Sequence, residues 1–215
     1  VGHTPTPPYI QRQQGAITDS ALDRIRYQTI YARHPGSVAA PTAGLHFTDG
    51  LLAELEARGV KRTSVTLHVG LGTFRPVKTD RVENHVMEAE RYSIGDAAVA
   101  AIQDARDAGG RVIAVGSTTV RTLETAAQAR GFLVAGTGRT SMFLHAPCEF
   151  KVVDGLLTNF HLPKSTLMMM VCAFAADRGE SLDWEAGRTL ILRAYGDAIR
   201  LRYRFYSYGD CMLIL

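Results

Sequence analysis

Arg111-Val112-Ile113-Ala114-Val115, followed by Gly116-Ser117-Thr118-Thr119 and then by residues 120–129, is the stretch on which the fold turns. The first five residues form a short, β-branched apolar run of the kind found in strands buried on both faces. The next four are a glycine and three hydroxyl side chains, the composition of a tight turn that leads into a helix. Residues 120–129 then carry a helix. The whole reads as a strand, turn and helix, one unit of an α/β domain.

Working outward, residues 95–108 are alanine-rich and predict a helix closed by Gly109-Gly110. Residues 62–69 alternate and are rich in Val and Thr, which predicts a strand running into the glycine loop Gly70-Leu71-Gly72-Thr73-Phe74-Arg75-Pro76. A short strand is expected over residues 142–145. Residues 150–158 read as a hairpin, because Asp154-Gly155 suits a type I′ turn. Further helices are expected over residues 18–33, 48–58, 165–176 and 184–199, and residues 203–210 close the chain. Strands alternating with helices, plus one hairpin, predict the α/β class: a mixed sheet with flanking helices.

Composition sets the outer bounds. The chain has 215 residues, 46% hydrophobic and 21% charged, ordinary for a globular protein and enough to bury roughly 70% of the unfolded surface. The longest apolar run, residues 167–176, is too short to span a bilayer, and no secretory leader pattern is present, so a cytoplasmic location is expected. Cys148, Cys172 and Cys211 are odd in number and widely spaced, against both a disulfide framework and a zinc cluster. A net charge of +3 is too mild to argue for nucleic-acid binding by itself. The proline-rich opening has the composition of a connection, so residues 1–17 are expected to be a linker ahead of an α/β domain over residues 18–215.

Several groups carry candidate chemistry. The turn holding Thr118 and Thr119 suits an anion, since free amides and the helix dipole face outward there; an ordinary hydroxyl cap is the alternative. Arg121 and Glu124 fit either ligand contacts or an i,i+3 ion pair with each other, the pairing being the default. Gly70, Gly72 and Thr73 lack the third glycine of a dinucleotide fingerprint, and no P-loop is present. Among the seven histidines, His46, His68 and His161 lie in or beside loops containing Gly or Pro, where an imidazole suits either proton transfer or a structural hydrogen bond. His85 and Glu90 have Glu88 between them, but spacing supplies no fourth ligand, and no metal is expected. Arg188, Arg193, Arg200, Arg202 and Arg204, interleaved with Tyr195, Tyr203, Phe205, Tyr206 and Tyr208, suit a folded RNA loop, or equally a solvated helix face followed by an aromatic core strand.

Taken together, Tyr27-Gln28-Thr29-Ile30-Tyr31-Ala32, Ala39-Ala40-Pro41-Thr42-Ala43-Gly44-Leu45-His46-Phe47, Thr66-Leu67-His68-Val69-Gly70-Leu71-Gly72-Thr73-Phe74-Arg75-Pro76-Val77, Thr158-Asn159-Phe160-His161-Leu162-Pro163-Lys164-Ser165 and Tyr203-Arg204-Phe205-Tyr206-Ser207-Tyr208-Gly209-Asp210 resemble, in this order, the S-adenosylmethionine:tRNA ribosyltransferase-isomerases. The resemblance implies the C-terminal portion of a discontinuous α/β domain, without the family's N-terminal part and inserted β-barrel. It implies transfer of the ribosyl part of S-adenosylmethionine to 7-aminomethyl-7-deazaguanine at the wobble position of tRNA, giving epoxyqueuosine, adenine and methionine. The partners implied are tRNA with a GUN-type anticodon and S-adenosylmethionine, consumed as a substrate; no cofactor, metal or membrane is expected.

On this resemblance His46, His68 and His161 are the candidates for proton transfer. Arg121, Lys164 and Arg204 are candidates for phosphate or the methionine carboxylate, and Glu124 and Asp210 for ribose hydroxyls or the cationic aminomethyl group. Thr42, Gly70, Gly72, Thr73, His85, Glu90, Thr118, Thr119, Asn159, Ser165 and Tyr208 complete the expected binding set. Glu88 stands where the family usually has a second histidine, and Ala146-Pro147-Cys148 where it has Pro-Gly-Tyr. A second reading of the same motifs is an RNA-binding protein of this fold without turnover.

Overall fold

The computed structural model describes residues 6–7, 10, 17–70, 77–128, 130–179 and 183–215. Most of the expected linker, Gly72, Thr73 and the last residue of the helix expected over 120–129 lie outside them. In chain order the elements are α1 (Ile17–Arg26), a 3-10 turn (Thr42–His46), α2 (Asp49–Ala57), β1 (Thr66–His68), β2 (Glu90–Ile94), α3 (Asp96–Asp107), β3 (Ile113–Val115), α4 (Ser117–Gln128), β4 (Gly136–Thr140), β5 (Gly155–Asn159), α5 (Thr166–Arg178), α6 (Trp184–Arg200) and β6 (Cys211–Ile214). The α/β class stands, but as two three-stranded sheets. β1-β2-β4 is antiparallel throughout, while β3-β5-β6 is mixed, with β3 and β5 parallel and β6 antiparallel to β5.

The strand, turn and helix expected over residues 111–129 form in that order with shifted bounds: β3 covers only Ile113–Val115, with Ile113 exposed, and α4 begins at Ser117, inside the expected turn. β3 pairs with β5 through Ile113↔Gly155 and Val115↔Leu157, and Gly116 continues the ladder by donating its N–H to the Leu157 carbonyl at 2.8 Å. Gly116 has φ +88, a left-handed conformation that a side chain would strain, so the sharp entry into α4 requires this glycine. α4 lies deep, with Val120, Thr122, Leu123, Ala126 and Ala127 all buried, and packs on strands of both sheets. α5 is apolar on every side, and Met170 to Ala176 are all buried, with α6 packed beside it. Among the described residues no helix is long and apolar enough to cross a membrane.

Several expectations fail for identifiable reasons. The helix expected over 18–33 stops at Arg26, because Tyr27 is drawn into the core and the Thr29 amide is taken by the Gln28 side chain at 2.9 Å. Only Thr66–His68 of the strand expected over 62–69 is paired: its partner β2 ends at Ile94 and turns into α3, leaving nothing for the earlier residues to bond. The strand expected over 142–145 is absent. Its Met142 N–H goes to the Thr140 hydroxyl and its carbonyl to Arg121 Nε, while β4, not foreseen, supplies the ladder with β2.

The hairpin over 150–158 is also overturned. The amides of Lys151, Val152 and Val153 donate to the carboxylate of Glu124 at 2.8, 3.0 and 3.0 Å, and the Asp154 side chain accepts the Val112 N–H. With its amides committed there, the segment carries no strand; β5 pairs instead with β3 and with β6, the unforeseen final strand. The same bonds overturn the expected Arg121–Glu124 pair. Glu124 serves the 151–153 backbone and Arg121 pairs with Glu90 at 2.5 Å, both ions buried.

Removing Glu124 strands three backbone donors, two of them on fully enclosed residues, at about 1–3 kcal/mol each. Glu124→Leu should therefore lower the urea-unfolding free energy by about 3 kcal/mol or more. Asp197→Ala, which breaks the exposed Arg200–Asp197 pair, should change it by less than about 0.5 kcal/mol. Equal losses would contradict the role given to Glu124.

Candidate functional site

β3 and β5 run parallel and end side by side, so the segments that follow them leave from one edge of the sheet. Crevices outside the carboxyl ends of parallel strands are where α/β proteins bind ligands. Five segments meet at this edge: the 3-10 turn, the end of β5, the N-termini of α4 and α5, and the 203–210 turn.

Asn159, the last residue of β5, is buried and organises one half of the edge. Its Oδ1 accepts from the Thr42 hydroxyl at 2.9 Å, and its Nδ2 lies 3.3 Å from both the Tyr206 carbonyl and His46 Nε2. A carbonyl only accepts, so the amide must turn its NH2 toward Tyr206. His46 Nε2 is then an acceptor, and in the neutral ring the proton sits on Nδ1. Burial lowers the His46 pKa from its ordinary value, nearby Asp210 opposes this and Arg204 adds to it. His46 is therefore a neutral imidazole at neutral pH, able to take a proton. The 3-10 turn that carries it sits tightly on its neighbours, since a side chain at Gly44 would collide with the Tyr31 hydroxyl and the Thr29 methyl.

Tyr206 has φ +70, a left-handed conformation that costs a non-glycine residue of order 1–3 kcal/mol. It is held by its N–H on the Phe160 carbonyl at 3.1 Å and by the Arg204–Asp210 lock, in which Asp210 accepts the Arg204 amide and guanidinium, each at 2.7 Å. That partnership raises the Arg204 pKa and holds Asp210 below the usual carboxylate range. Arg204 and Asp210 thus face each other. Tyr208 donates to Asp23 at 3.2 Å and meets Tyr27 edge-on, which ties the turn to α1. Phe205 stacks on Phe160 at 4.8 Å, so this part of the C-terminal aromatic run is core, whereas Tyr203 and Tyr208 remain exposed.

The other half of the edge is a pocket lined by Ser117, Thr118, Arg121, Met142, Phe143 and Thr166, among others. Gly116 brings it against the first half, its α-carbon facing the Ala43 methyl of the 3-10 turn. Arg121 is fixed by Glu90 Oε2 and by the Met142 carbonyl at 3.2 Å; Glu90 Oε1 accepts the Gly70 N–H at 2.9 Å. Phe143 lies between the rings of His85, 5.2 Å away, and His145, 4.8 Å away. The Thr119 hydroxyl is spent on the Val115 carbonyl, and Ser165 caps α5 by accepting the Met168 N–H at 3.1 Å. Lys164, exposed with φ +58, immediately precedes that cap.

The three expected histidines separate. His46 alone stands at the convergence. His161 lies just beyond β5, its Nε2 2.7 Å from the Thr158 hydroxyl, and burial lowers its pKa to about 4. Its backbone N–H donates to the Tyr195 hydroxyl at 2.8 Å. His68 is on β1 of the other sheet, its ring against Gly36. Gly72 and Thr73 fall outside the described residues. Sequence reasoning missed the Tyr206 carbonyl, Phe143 and Met142. Only Ser117 had a signal, as part of the same hydroxyl turn as Thr118. Among the described residues no group of three or more His, Cys, Asp or Glu is placed to hold a metal ion.

An α/β fold with loops gathered over the carboxyl edge of its parallel strands defines a ligand-binding class, and similarity to known proteins narrows it. Residues 1–214 match the family of queuosine biosynthesis proteins, and the chain belongs to it. It is 55% identical over 213 residues to the S-adenosylmethionine:tRNA ribosyltransferase-isomerase of Anaeromyxobacter sp. (strain Fw109-5) and 54% identical to that of Geobacter sulfurreducens. Each match covers 99% of this chain and 57% of the relative, so the chain spans little more than half their length. The crystal structure of S-adenosylmethionine tRNA ribosyltransferase from Thermotoga maritima is 40% identical with TM-score 0.62, over 80% of this chain and 51% of that one.

His161 makes the stability of the site pH-dependent. Its folded pKa of about 4 lies below the ordinary value of about 6.5. The contribution is complete above pH about 6.5 and is lost as pH falls toward 4, because the unfolded chain takes up the proton first. Denaturant titrations should show the acid-side loss of wild type exceeding that of His161→Asn, by at most on the order of 3 kcal/mol. Parallel curves would contradict the assignment.

Proposed function

We propose that the carboxyl-edge site binds S-adenosylmethionine and takes part in transferring its ribosyl group to 7-aminomethyl-7-deazaguanine at the wobble position of a tRNA with a GUN-type anticodon, yielding epoxyqueuosine, adenine and methionine. The observation that carries this reading is the His46–Asn159–Thr42–Tyr206 arrangement, in which three sequence-distant motifs supply one half-buried polar network around the buried Asn159, beside an open pocket. S-adenosylmethionine is consumed in the reaction, so no resident cofactor or metal is required. A compartment containing tRNA, the cytoplasm, is the setting that goes with it.

The chemistry needs a base for a proton on the carbon beside the sulfonium, which the positive sulfur acidifies. It also needs a neutral attacking amine and a proton for the departing adenine. His46 fits the base. Its lowered pKa keeps it unprotonated at neutral pH, and its contact with Asn159 is long enough, at 3.3 Å, to give way. His161 carries no second proton near neutrality and is better suited to bracing the end of β5. Exposed Lys164, Arg200 at the end of α6, and Arg202 just after it offer charge for tRNA phosphates.

The test is incubation of the chain with S-adenosylmethionine and tRNA bearing the 7-aminomethyl-7-deazaguanine base, with adenine and epoxyqueuosine measured. Both products are expected, with a rate that falls on the acid side at lower pH than an ordinary imidazole would give, because burial lowers the His46 pKa. His46→Asn should lower the rate by about 100-fold or more. tRNA binding without product would instead favour the noncatalytic RNA-binding reading, and a variant within a few-fold of wild type would remove His46 as the base.

A further inference from the structure

Arg121 is 7% exposed, and one corner of its guanidinium is unused. Nη1 is taken by Glu90 and Nε by the Met142 carbonyl, but Nη2 is buried without a hydrogen-bond partner. A buried donor left open costs about 1–3 kcal/mol and is rare unless something fills it. Arg121 lines the pocket at the carboxyl edge, where the N-termini of two long helices also arrive. In α4 the amides of Thr119 and Val120 return to the Gly116 carbonyl, so those of Ser117 and Thr118 are the ones the first turn directs outward. In α5 the cap occupies the Met168 amide and Thr166 reaches the same pocket.

From this we infer that the pocket is a carboxylate subsite, and that it holds the amino-acid end of S-adenosylmethionine, with Arg121 Nη2, the Ser117 and Thr118 amides and the hydroxyl of pocket-lining Thr118 as its donors. The inference rests on the proposed function and says which end of the ligand lies where. Three features favour a carboxylate over a tRNA phosphate. Glu90 already neutralises the single charge of Arg121, so the pocket offers hydrogen-bond donors without the excess positive charge that a polyanion needs. The guanidinium is sunk in the interior, out of reach of a backbone that lies on a surface. The remaining walls include Met87, Met142, Leu144 and Leu167, apolar side chains suited to a thioether-bearing chain. The carboxylate would lie on the far side of Ala43 and Gly116 from His46, which leaves the sulfonium between the two halves of the edge.

Decarboxylated S-adenosylmethionine, which keeps every other group, is the probe. Isothermal titration should find it bound at least about tenfold more weakly than S-adenosylmethionine by wild type. Arg121→Lys keeps a cation for Glu90 but removes the guanidinium fork, and should reduce that preference to less than about threefold with an unchanged circular dichroism spectrum. Thr118→Val, which leaves the Glu90 pair alone, should reduce it in the same direction if the lysine variant does not fold. Equal affinity of wild type for both compounds, or a preference that survives in the variants, overturns the carboxylate subsite while leaving the proposed function standing. A variant that keeps the preference but loses tRNA affinity likewise overturns it, in favour of a phosphate. No binding of either compound by wild type overturns the proposed function, and this inference with it.

Discussion

One turn of α4 carries two ionised side chains into the interior, and each is tied to a different sheet. Arg121 reaches β2 through Glu90, while Glu124 gathers the amides of residues 151–153 just before β5. A hydroxyl pair, Thr125 to Thr140 at 2.6 Å, joins the next turn to β4. Burying an ion pair gains little net stability, but losing one partner costs about 3–5 kcal/mol, so such a clamp acts mainly by specifying an arrangement. Here it sets how β1-β2-β4 lies against β3-β5-β6, and so where the carboxyl edge opens.

Everything at the site follows from that placement. β5 is the middle strand of its sheet, so Asn159 emerges between the exit of β3 and the start of β6. The Thr42 turn and the 203–210 turn can both reach it there. The strain at Tyr206 is borne because its carbonyl accepts the Asn159 amide and Asp210 locks the turn behind it. That amide in turn fixes which nitrogen of His46 carries the proton. A backbone carbonyl at position 206 thereby bears on the protonation chemistry of a ring 160 positions earlier in the chain.

Much of this was legible in the sequence where local chemistry and tertiary structure agree. The β3–α4 unit, the apolar helix opening at Ser165, the α/β class and the family resemblance were all readable. Legibility failed where a side chain from a distant element claimed backbone amides. Asp154-Gly155 has the local signature of a hairpin, but Glu124, 27 positions earlier than Lys151, holds the preceding segment out of any ladder. The i,i+3 spacing of Arg121 and Glu124 suggested a pair on a helix surface; because α4 is buried, each found a stronger partner elsewhere. The histidines looked alike in sequence, since each sits by a glycine or proline. Only the sheet topology separates His46 at the convergence from His68 on the other sheet.

In the proposed function the two halves of the carboxyl edge form one site for S-adenosylmethionine. The most direct measurement is a crystal structure of the chain soaked with that compound. Electron density spanning the edge is expected, with the carboxylate within about 3 Å of Arg121 Nη2 and the sulfonium side facing His46. Density confined to another surface, or lying against the Glu90 carboxylate with its carboxylate in solvent, would contradict it.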